Sequence, residues 1–358
     1  MQIADLLRDT ASPLAAEHLA YLRAAVVLIT GAGGTVGAEL CRQIAARLPR
    51  ALVMLDRDAQ ALHHIHTTVR SRHPHLNSIP VVADIRDTRR LGRVFAQHTP
   101  AIIFHAADYK HVALMEHNPE EALLTSVLGT RNLLRAAEQH PVTTFVLIST
   151  VKAVKPASFI GAGKRVAELL VQDAARRSGR HFIAVRFGNL FGSAGSVVPL
   201  FKRQIAAGGP LTVTHPDAAR YFITTPRAVQ LLIQAADLGQ GGEIFVLDMG
   251  DPVKIIDLAR DMLTRSERDP QHTINILFTG LRPGEKLTDA CFNTFETCGA
   301  TPREELLVAL GTPSIESARL QRGVEKLIRL AQDGEIAQLW GALQALAPEC
   351  QRALSEAS

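Results

Sequence analysis

Short apolar segments rich in β-branched residues recur through the first half of the chain and alternate with longer segments of helical periodicity. Strands of a parallel sheet are covered on both faces, so they appear as continuous apolar runs. Alternation of such strands with helices predicts an α/β fold with a Rossmann-type doubly wound parallel sheet. The six predicted strands are AVVLITG (25–31), ALVMLDR (51–57), IPVVADIR (79–86), AIIFHAA (101–107), TTFVLIST (143–150) and HFIAVRFG (181–188).

The length of 358 residues exceeds the usual size of one domain, which is about 100–200 residues. We therefore expect a Rossmann domain and a smaller C-terminal substrate-binding lobe. The predicted division is an N-terminal helical arm at 1–24, the dinucleotide-binding Rossmann domain at 25–190, the substrate lobe at 191–300 and a helical tail at 301–358.

Composition argues against several classes of protein. The net charge is +4, but the basic residues are dispersed and aromatic residues make up only 5%, so we predict no nucleic-acid binding. The four cysteines lack zinc-site spacing, and we predict no metal. No apolar run approaches the roughly 20 residues of a membrane helix, and no signal segment follows Met1. We expect a cytoplasmic protein that does not bind membranes.

A glycine-rich turn, GAGGTVGAEL, separates the first predicted strand from its helix. Gly31, Gly34 and Gly37 would let the backbone approach a pyrophosphate, and a helix that starts near Thr35 and Val36 would direct free N–H groups towards it. Asp56 ends the next strand nineteen residues after Gly37, where an acid binds the adenosine ribose hydroxyls. Strand, turn, helix and acid together predict a dinucleotide site.

Further cofactor contacts are expected at the ends of the neighbouring strands. Arg57 could meet a 2′-phosphate whereas Asp56 would repel one, so NAD and NADP both remain open. Asp84 and Ile85 lie at the end of the third predicted strand, where they would contact the adenine, although a helix cap is an equally good role for Asp84. The fourth strand ends in Ala106 and Ala107, near the expected nicotinamide position.

Several longer segments are far more specific than the glycine pattern. They are LITGAGGTVGAELCRQI, HAADYKHVALMEHNPEEA, VLGTRNLL, VRFGNLFGSAGSVVPLFKRQI, GGPLTVTHPDAARYFIT and GLRPGEKL. Through them the chain resembles the extended short-chain dehydrogenase/reductases, and within these the nucleotide-sugar 4,6-dehydratases of polysaccharide biosynthesis that act on UDP-N-acetylglucosamine and its relatives. The resemblance implies a tightly bound, recycled NAD or NADP, a nucleotide-diphosphate sugar substrate and a homo-oligomer.

The same resemblance implies the substrate contacts. Arg220 and Arg282 would present forked donors to the pyrophosphate oxygens, and Glu285 would accept from the nucleoside ribose. The other substrate-binding positions that it implies are Lys110, Glu116, Asn189, Ser196, Val197 and Lys202.

The segment STVKAVKPASFIGAGK, residues 149–164, departs from the family pattern Ser-Thr-Asp-Lys-Ala…Asn-Pro…(Tyr or Met)-Gly-Ala-Thr-Lys. It retains Thr150, Lys152 and Lys164. We predict that five departures converge on one pocket: Val151 in place of the family acid, Lys155 in place of Asn, Ile160 in place of Tyr or Met, Gly163 in place of Thr, and Ser126 in place of an Asn.

These departures change the expected chemistry. Val151 cannot donate a proton to a leaving hydroxyl, a contribution typically worth about 10²–10⁴ in rate. Lys152 can act as a base when neutral, and burial together with Lys155, Lys164 and an oxidised nicotinamide would lower its pKa. Lys164 would also hold the nicotinamide ribose. We therefore favour an NAD(P)-dependent enzyme that deprotonates a ring carbon of a transient keto-sugar and epimerises it.

Two alternatives remain. One is a nucleotide-sugar 4,6-dehydratase whose general acid has moved to Asp108 or Glu116, of which Asp108 departs from the small residue of many relatives. The other is a catalytically silent protein that binds a nucleotide sugar or a dinucleotide. The sugar, the nucleotide base and the number of subunits stay open.

Overall fold

A computed structural model describes residues 20–193, 195–266 and 274–352 of the chain. Most of the N-terminal arm predicted at 1–24 lies outside the described residues. The first six strands confirm the α/β prediction: β1 Val26–Thr30, β2 Ala51–Asp56, β3 Ser78–Val82, β4 Ile102–His105, β5 Thr144–Ile148 and β6 His181–Arg186. The helices between and around them are α1 Thr35–Ala45, α2 Ala59–Arg72, α3 Thr88–His98, α4 Val112–Glu116, α5 Pro119–Leu123, α6 Thr130–Gln139 and α7 Phe159–Ser178, with a π-helical segment at Leu124–Gly129 and a 3₁₀ turn at Val151–Ala153.

The remaining described elements belong to the second half of the chain. The strands are β7 Asn189–Leu190, β8 Leu211–Val213, β9 Ala219–Arg220, β10 Phe222–Ile223, β11 Ile244–Leu247, β12 Val253–Lys254, β13 Ile276–Phe278, β14 Thr297–Gly299 and β15 Leu306–Leu310. The helices are α8 Val197–Ala206, α9 Thr225–Leu238, α10 Ile255–Thr264, α11 Ser317–Gln332 and α12 Ile336–Leu346.

Nine strands form the main sheet in the order β14-β15-β11-β6-β5-β4-β1-β2-β3. The strands from β3 to β11 pair in parallel, whereas β15 pairs antiparallel with both β11 and β14. β11 and β14 lie within the predicted substrate lobe, and β15 lies within the predicted helical tail. The predicted substrate lobe and the predicted helical tail therefore both contribute strands to the main sheet.

Burial on both faces explains why the parallel strands have apolar sequences. Every residue of β1 and β5 is buried, and the two faces of the sheet pack into two separate hydrophobic clusters. On one face lies α7, whose length is mostly buried, together with α11 and α12. On the other lie α1 and α9. The chain order reverses between β1 and β4, which opens a crevice at the carboxyl ends of the strands.

A third hydrophobic cluster forms the smaller lobe. It joins α8, α10 and β8 through residues such as Phe201, Leu211 and Leu258, all of them buried. The second half of the chain also contains three two-stranded sheets, β7 with β10, β9 with β12 and β8 with β13. Within the described ranges, no helix combines the length and apolar character that crossing a membrane would require.

Candidate active site

The glycine turn between β1 and α1 has no room for side chains. Gly31 has φ +69°, and a Cβ atom there would lie 2.6 Å from the backbone nitrogen of Ala107. A Cβ atom at Gly37 would lie 2.0 Å from the carbonyl oxygen of Gly31. Gly34 precedes α1 without a side-chain cap, so the first N–H groups of that helix face the crevice. This turn fits the pyrophosphate of a dinucleotide.

Asp56 is fixed at the end of β2 by backbone donors. Its Oδ2 accepts the N–H of Gly33 at 2.8 Å, and its Oδ1 accepts the N–H of Asp58 at 2.9 Å. The carboxylate lines a cavity of about 290 Å³ beside β2 and β3, here called the strand-edge cavity. This is the position at which a carboxylate can accept from ribose hydroxyls.

The neighbouring charges of the strand-edge cavity are engaged with other side chains. The guanidinium of Arg57 lies over the ring of Tyr109, 4.6 Å from its centre. Arg86 donates to Asp84 at 2.8 Å and to Glu121 at 3.0 Å. Burial alone would raise the pKa of Asp84, but the hydrogen bonds and charge of Arg86 outweigh it and lower that pKa. Asp84 thus both lines the cavity and pairs with Arg86.

A larger cavity of about 610 Å³, the main cavity, extends from the glycine turn across the ends of β4 and β5 to the smaller lobe. Its size is typical of a site for a small ligand or cofactor. It contains all four predicted catalytic residues, Thr150, Lys152, Lys164 and Asp108. The predicted cofactor residues line one cavity or both: Gly31, Gly34, Thr35, Val36, Gly37, Asp56, Arg57, Asp84, Ile85, Ala106, Ala107 and Lys164.

Lys152 occupies the centre of the main cavity wall. Its Nζ donates to Oδ1 of Asn189 at 3.1 Å, and its backbone N–H is held by Oγ1 of Thr150 at 3.2 Å. Burial is the largest influence and lowers the pKa of Lys152; Arg220 lowers it further, while Asp289 and Glu285 act in the opposite direction. The direction agrees with the prediction for a lysine base, but the charges responsible differ from those that we expected.

Lys164 and Asp108 line the same cavity and form a compact cluster with Ser126, which is buried behind them. Nζ of Lys164 lies 2.7 Å from Oδ2 of Asp108, and Oγ of Ser126 lies within 2.9 Å of both carboxylate oxygens. A Cβ atom at Gly163 would lie 3.1 Å from Cβ of Ser126, a tight contact, so the family threonine would press against this serine. The residue at 163 therefore limits the position of Ser126, and Ser126 in turn donates hydrogen bonds to Asp108.

Four of the five departing residues do not line this cavity. Val151 is fully buried and is not part of the wall, and its backbone N–H bonds to the carbonyl of Phe187. Lys155 is exposed, and its backbone N–H donates to Asn293 at 2.8 Å. Of the five departures, Ile160 alone lines the main cavity. Ser126 and Gly163 are buried next to each other beside Asp108 and Lys164, so the predicted convergence on one pocket does not hold for them, for Val151 or for the exposed Lys155.

The substrate side of the main cavity combines cationic and polar groups. Arg220 donates to Oε1 of Glu285 at 2.7 Å, and Nζ of Lys110 donates to Oγ of Ser193 at 2.8 Å. Burial lowers the pKa of Lys110, and the charge of Lys152 adds to this effect. The predicted substrate residues in this wall are Lys110, Asn189, Ser196, Val197, Arg220, Arg282 and Glu285.

Two predicted substrate residues lie elsewhere. Lys202 is exposed on α8 and does not line the main cavity. Glu116 accepts the backbone N–H of Phe159 at 2.8 Å and lies against Gly284. Burial raises its pKa, while its carboxylate connects α4 to the start of α7 rather than facing the cavity.

The sequence interpretation missed Ser193, Lys286 and Asp289. Lys286 lies inside the quoted GLRPGEKL segment, and Asp289 follows three residues later. Both line a further cavity beside Lys152. Lone polar residues in a loop give no sequence signal of this kind, because only folding brings the loop against residues 149–164.

The strand order and the glycine turn define a Rossmann-type fold of the kind found in short-chain dehydrogenase/reductases. Residues 27–310 match the family described as polysaccharide biosynthesis protein, and the chain belongs to that family.

Individual relatives agree with this assignment. The chain is 46% identical over 276 residues to the probable polysaccharide biosynthesis protein EpsC of Bacillus subtilis, covering 77% of this chain and 46% of that protein. It is 45% identical to the capsular polysaccharide biosynthesis protein CapD of Staphylococcus aureus, covering 75% and 45% of the two chains. The chain thus spans about half the length of these relatives. It is also 34% identical to a UDP-glucose 4-epimerase of Rickettsia rickettsii, covering 70% of this chain and 73% of that enzyme.

Solved structures share the fold. Pen from Bacillus thuringiensis has 30% identity and a TM-score of 0.73, covering 83% of this chain and 90% of its own. DesIV, a dTDP-glucose 4,6-dehydratase from Streptomyces venezuelae solved with NAD, has 22% identity and a TM-score of 0.67, covering 88% and 98%.

Proposed function

We propose that the chain is an NAD(P)-dependent nucleotide-sugar epimerase that works through a transient keto-sugar, with Lys152 as the base. One observation carries the proposal: Lys152 lies in the main cavity with a lowered pKa and a neutral hydrogen-bond partner, Asn189. A lysine in that state can remove a proton from a ring carbon next to a ketone. The two carboxylates of the described cavity wall, Asp108 and Glu285, are both engaged with cations.

The residues present fit a dinucleotide. Gly31 and Gly37 leave the space that a pyrophosphate needs, and Asp56 is fixed where ribose hydroxyls would donate. Once bound, the nicotinamide would accept a hydride from the sugar and later return it. NAD is the better match, because Asp56 would repel a 2′-phosphate and Arg57 is stacked on Tyr109.

The substrate side fits a nucleotide-diphosphate sugar. Arg220 and Arg282 both line the main cavity. The forked donors of their guanidinium groups suit a pyrophosphate. The UDP-glucose 4-epimerase of Rickettsia rickettsii supports a sugar of this class. Lys164 would hold the nicotinamide ribose while its ion pair with Asp108 fixes its position.

A 4,6-dehydratase with a relocated acid is the second candidate. It is favoured by the position of Asp108, which lines the main cavity next to Lys164. In the present arrangement the carboxylate accepts from Lys164 and Ser126, so its oxygens are occupied as acceptors. Proton donation would require this cluster to rearrange, which is why we prefer epimerisation.

The test is incubation of the protein in D₂O with UDP-N-acetylglucosamine and a panel of other nucleotide hexoses, followed by mass spectrometry and proton NMR. We expect deuterium at a ring carbon without loss of water, and the inverted centre identifies the carbon on which Lys152 acts. Loss of one water with a new methyl signal would replace epimerisation by dehydration. Tight binding without reduction of the cofactor would point to a silent binding protein.

A further inference from the structure

A third cavity of about 380 Å³, here called the side cavity, adjoins the main cavity. Lys152, Arg220, Arg282 and Glu285 line both. Lys152 therefore lies on the wall that separates the proposed reaction site from the side cavity. The long, flexible stem of a lysine allows its amine to turn from one cavity to the other by rotation about the side-chain bonds.

Asp289 lines the side cavity, and one of its carboxylate oxygens has no hydrogen-bond partner among the described residues. The residue is 8% exposed, and its Oδ2 makes no hydrogen bond with any described residue. The nearest cation to that oxygen is Nε of Arg220 at 3.9 Å, which is too long for a hydrogen bond. A buried acceptor without a partner is costly, on the order of 1–3 kcal/mol or more when charged. We therefore expect a hydrogen-bond donor to reach Oδ2 of Asp289 in another conformation of the site.

Several charged and titratable groups face Asp289. Its charge opposes the effect of burial on Lys152 and on Lys286, and burial lowers the pKa of Lys286 to about 8. Nζ of Lys286 donates to the carbonyl oxygen of Val154. The other groups around this loop are Arg220, Glu285, His111, Tyr221 and Cys291, the last two with pKa values raised chiefly by burial.

We propose that Asp289 is a positioning residue that receives protonated Lys152, so that the proton exchanges with solvent in the side cavity. The proposal rests on the proposed function. The neutral amine beside Asn189 takes the ring proton, while the C–H electron pair remains in the enolate. The resulting ammonium turns to Oδ2 of Asp289, exchanges its hydrogens with water there and returns as an ammonium. It then donates a solvent-derived proton to the enolate carbon, whose electron pair forms the new C–H bond, and the amine is neutral again. No oxidant or further reactant is needed for this cycle.

The hydrogen that returns to the sugar reports on this exchange. In D₂O, an ammonium that exchanges fully with solvent donates only deuterium to the enolate. An ammonium that stays beside Asn189 carries three hydrogens, one of them from the substrate, so it can return that hydrogen in up to about one third of events. In a single turnover we expect Asp289→Asn to raise retention of the substrate hydrogen from near zero towards about one third. Asp289→Glu, which keeps the charge, should stay near the wild-type value.

A second readout does not depend on the sugar reaction. The rate at which acetic anhydride acylates Lys152, followed by peptide mass spectrometry against pH, gives the pKa of that amine in the protein without substrate. Removal of the Asp289 charge should shift this pKa downwards. Asp257→Asn, which changes an exposed carboxylate on α10, is the matched control and should leave it unchanged.

The outcomes separate the two proposals. If wild-type protein neither reduces the cofactor nor exchanges ring hydrogen, the proposed function fails, and acylation of Lys152 still tests its pairing with Asp289. Unchanged pKa of Lys152 and unchanged hydrogen retention in Asp289→Asn would overturn the inference. A general loss of folding would appear in circular dichroism, and Asp289→Ser then replaces the variant for the same two measurements.

Discussion

Replacement of Lys152 by methionine is the sharpest perturbation of the proposed reaction. Methionine keeps an unbranched side chain of similar length and removes the amine that now bonds Asn189 at 3.1 Å. Loss of a general base typically costs about 10²–10⁴ in rate, which corresponds to about 2.7–5.4 kcal/mol of barrier. We expect exchange of ring hydrogen with D₂O to fall by this factor.

The pH dependence provides a second measure of the same base. Burial lowers the pKa of Lys152 below its ordinary value of 10.5. Only the neutral amine accepts a proton, so exchange rises with pH as Lys152 loses its charge. The wild-type rise should be centred below pH 10.5, and it should vanish in Lys152→Met.

The matched control is Lys155→Asn, three residues further along the same loop. Lys155 is exposed and has φ +40°, a conformation that asparagine tolerates, so the substitution removes a positive charge without backbone strain. Its exchange rate should remain within about twofold of wild type. Exchange at the wild-type rate in folded Lys152→Met would refute the assignment of the base.

Three further predictions concern binding, stability and the altered pocket. Asp56→Ala should weaken NAD binding about tenfold to a hundredfold by calorimetry, as expected for lost hydrogen bonds to a charged group, and an unchanged affinity would refute the ribose contact. Arg186→Met leaves Glu168 and Glu296 buried without their shared cation, so urea unfolding should show a loss of about 3–5 kcal/mol. Gly163→Thr should press against Ser126, disturb its hydrogen bonds to Asp108 and lower the rate of cofactor reduction. Equal rates in the variant and the wild type would show that the pocket accommodates the added side chain.

The network around Arg186 also predicts the behaviour of the fold in acid. Burial alone would raise the pKa of Glu296, but the hydrogen bonds and charge of Arg186 lower it overall. A carboxyl with a lowered pKa in the folded state contributes stability above its ordinary pKa and loses it as pH falls through the folded value. Stability should therefore decrease below about pH 4.3, the ordinary value for glutamate. Arg186→Met should show a weaker dependence in chemical unfolding across this range.

The fold was largely predictable because its signals are local. Central parallel strands such as β1 and β5 are buried along their whole length and are therefore mostly apolar. The turn after β1 needs glycine where a Cβ atom would meet backbone atoms, as at Gly31 and Gly37. The antiparallel strands were harder to predict from the sequence. β15 lies in a segment that helical periodicity dominates, and its pairing with β11 depends on a contact between distant parts of the chain.

The positions of individual side chains were less predictable. Lys152 and Lys164 occupy the cavity as their motif suggested, whereas Lys202 and Glu116 belong to similar motifs and lie outside its wall. A motif fixes which loop a residue belongs to. Packing against other loops decides which way its side chain points.

The amino-acid sequence by itself determined the parallel part of the sheet, the glycine turn and the loop that carries Lys152, since periodicity and steric limits act between near neighbours. Only the tertiary structure decided the charges around this lysine. Asp289 lies 137 residues away along the chain and comes close because the segment after β13 folds back onto the ends of β5 and β6. Electrostatic interactions depend on distance in space, so the protonation of the proposed base follows from the fold and not from its own motif.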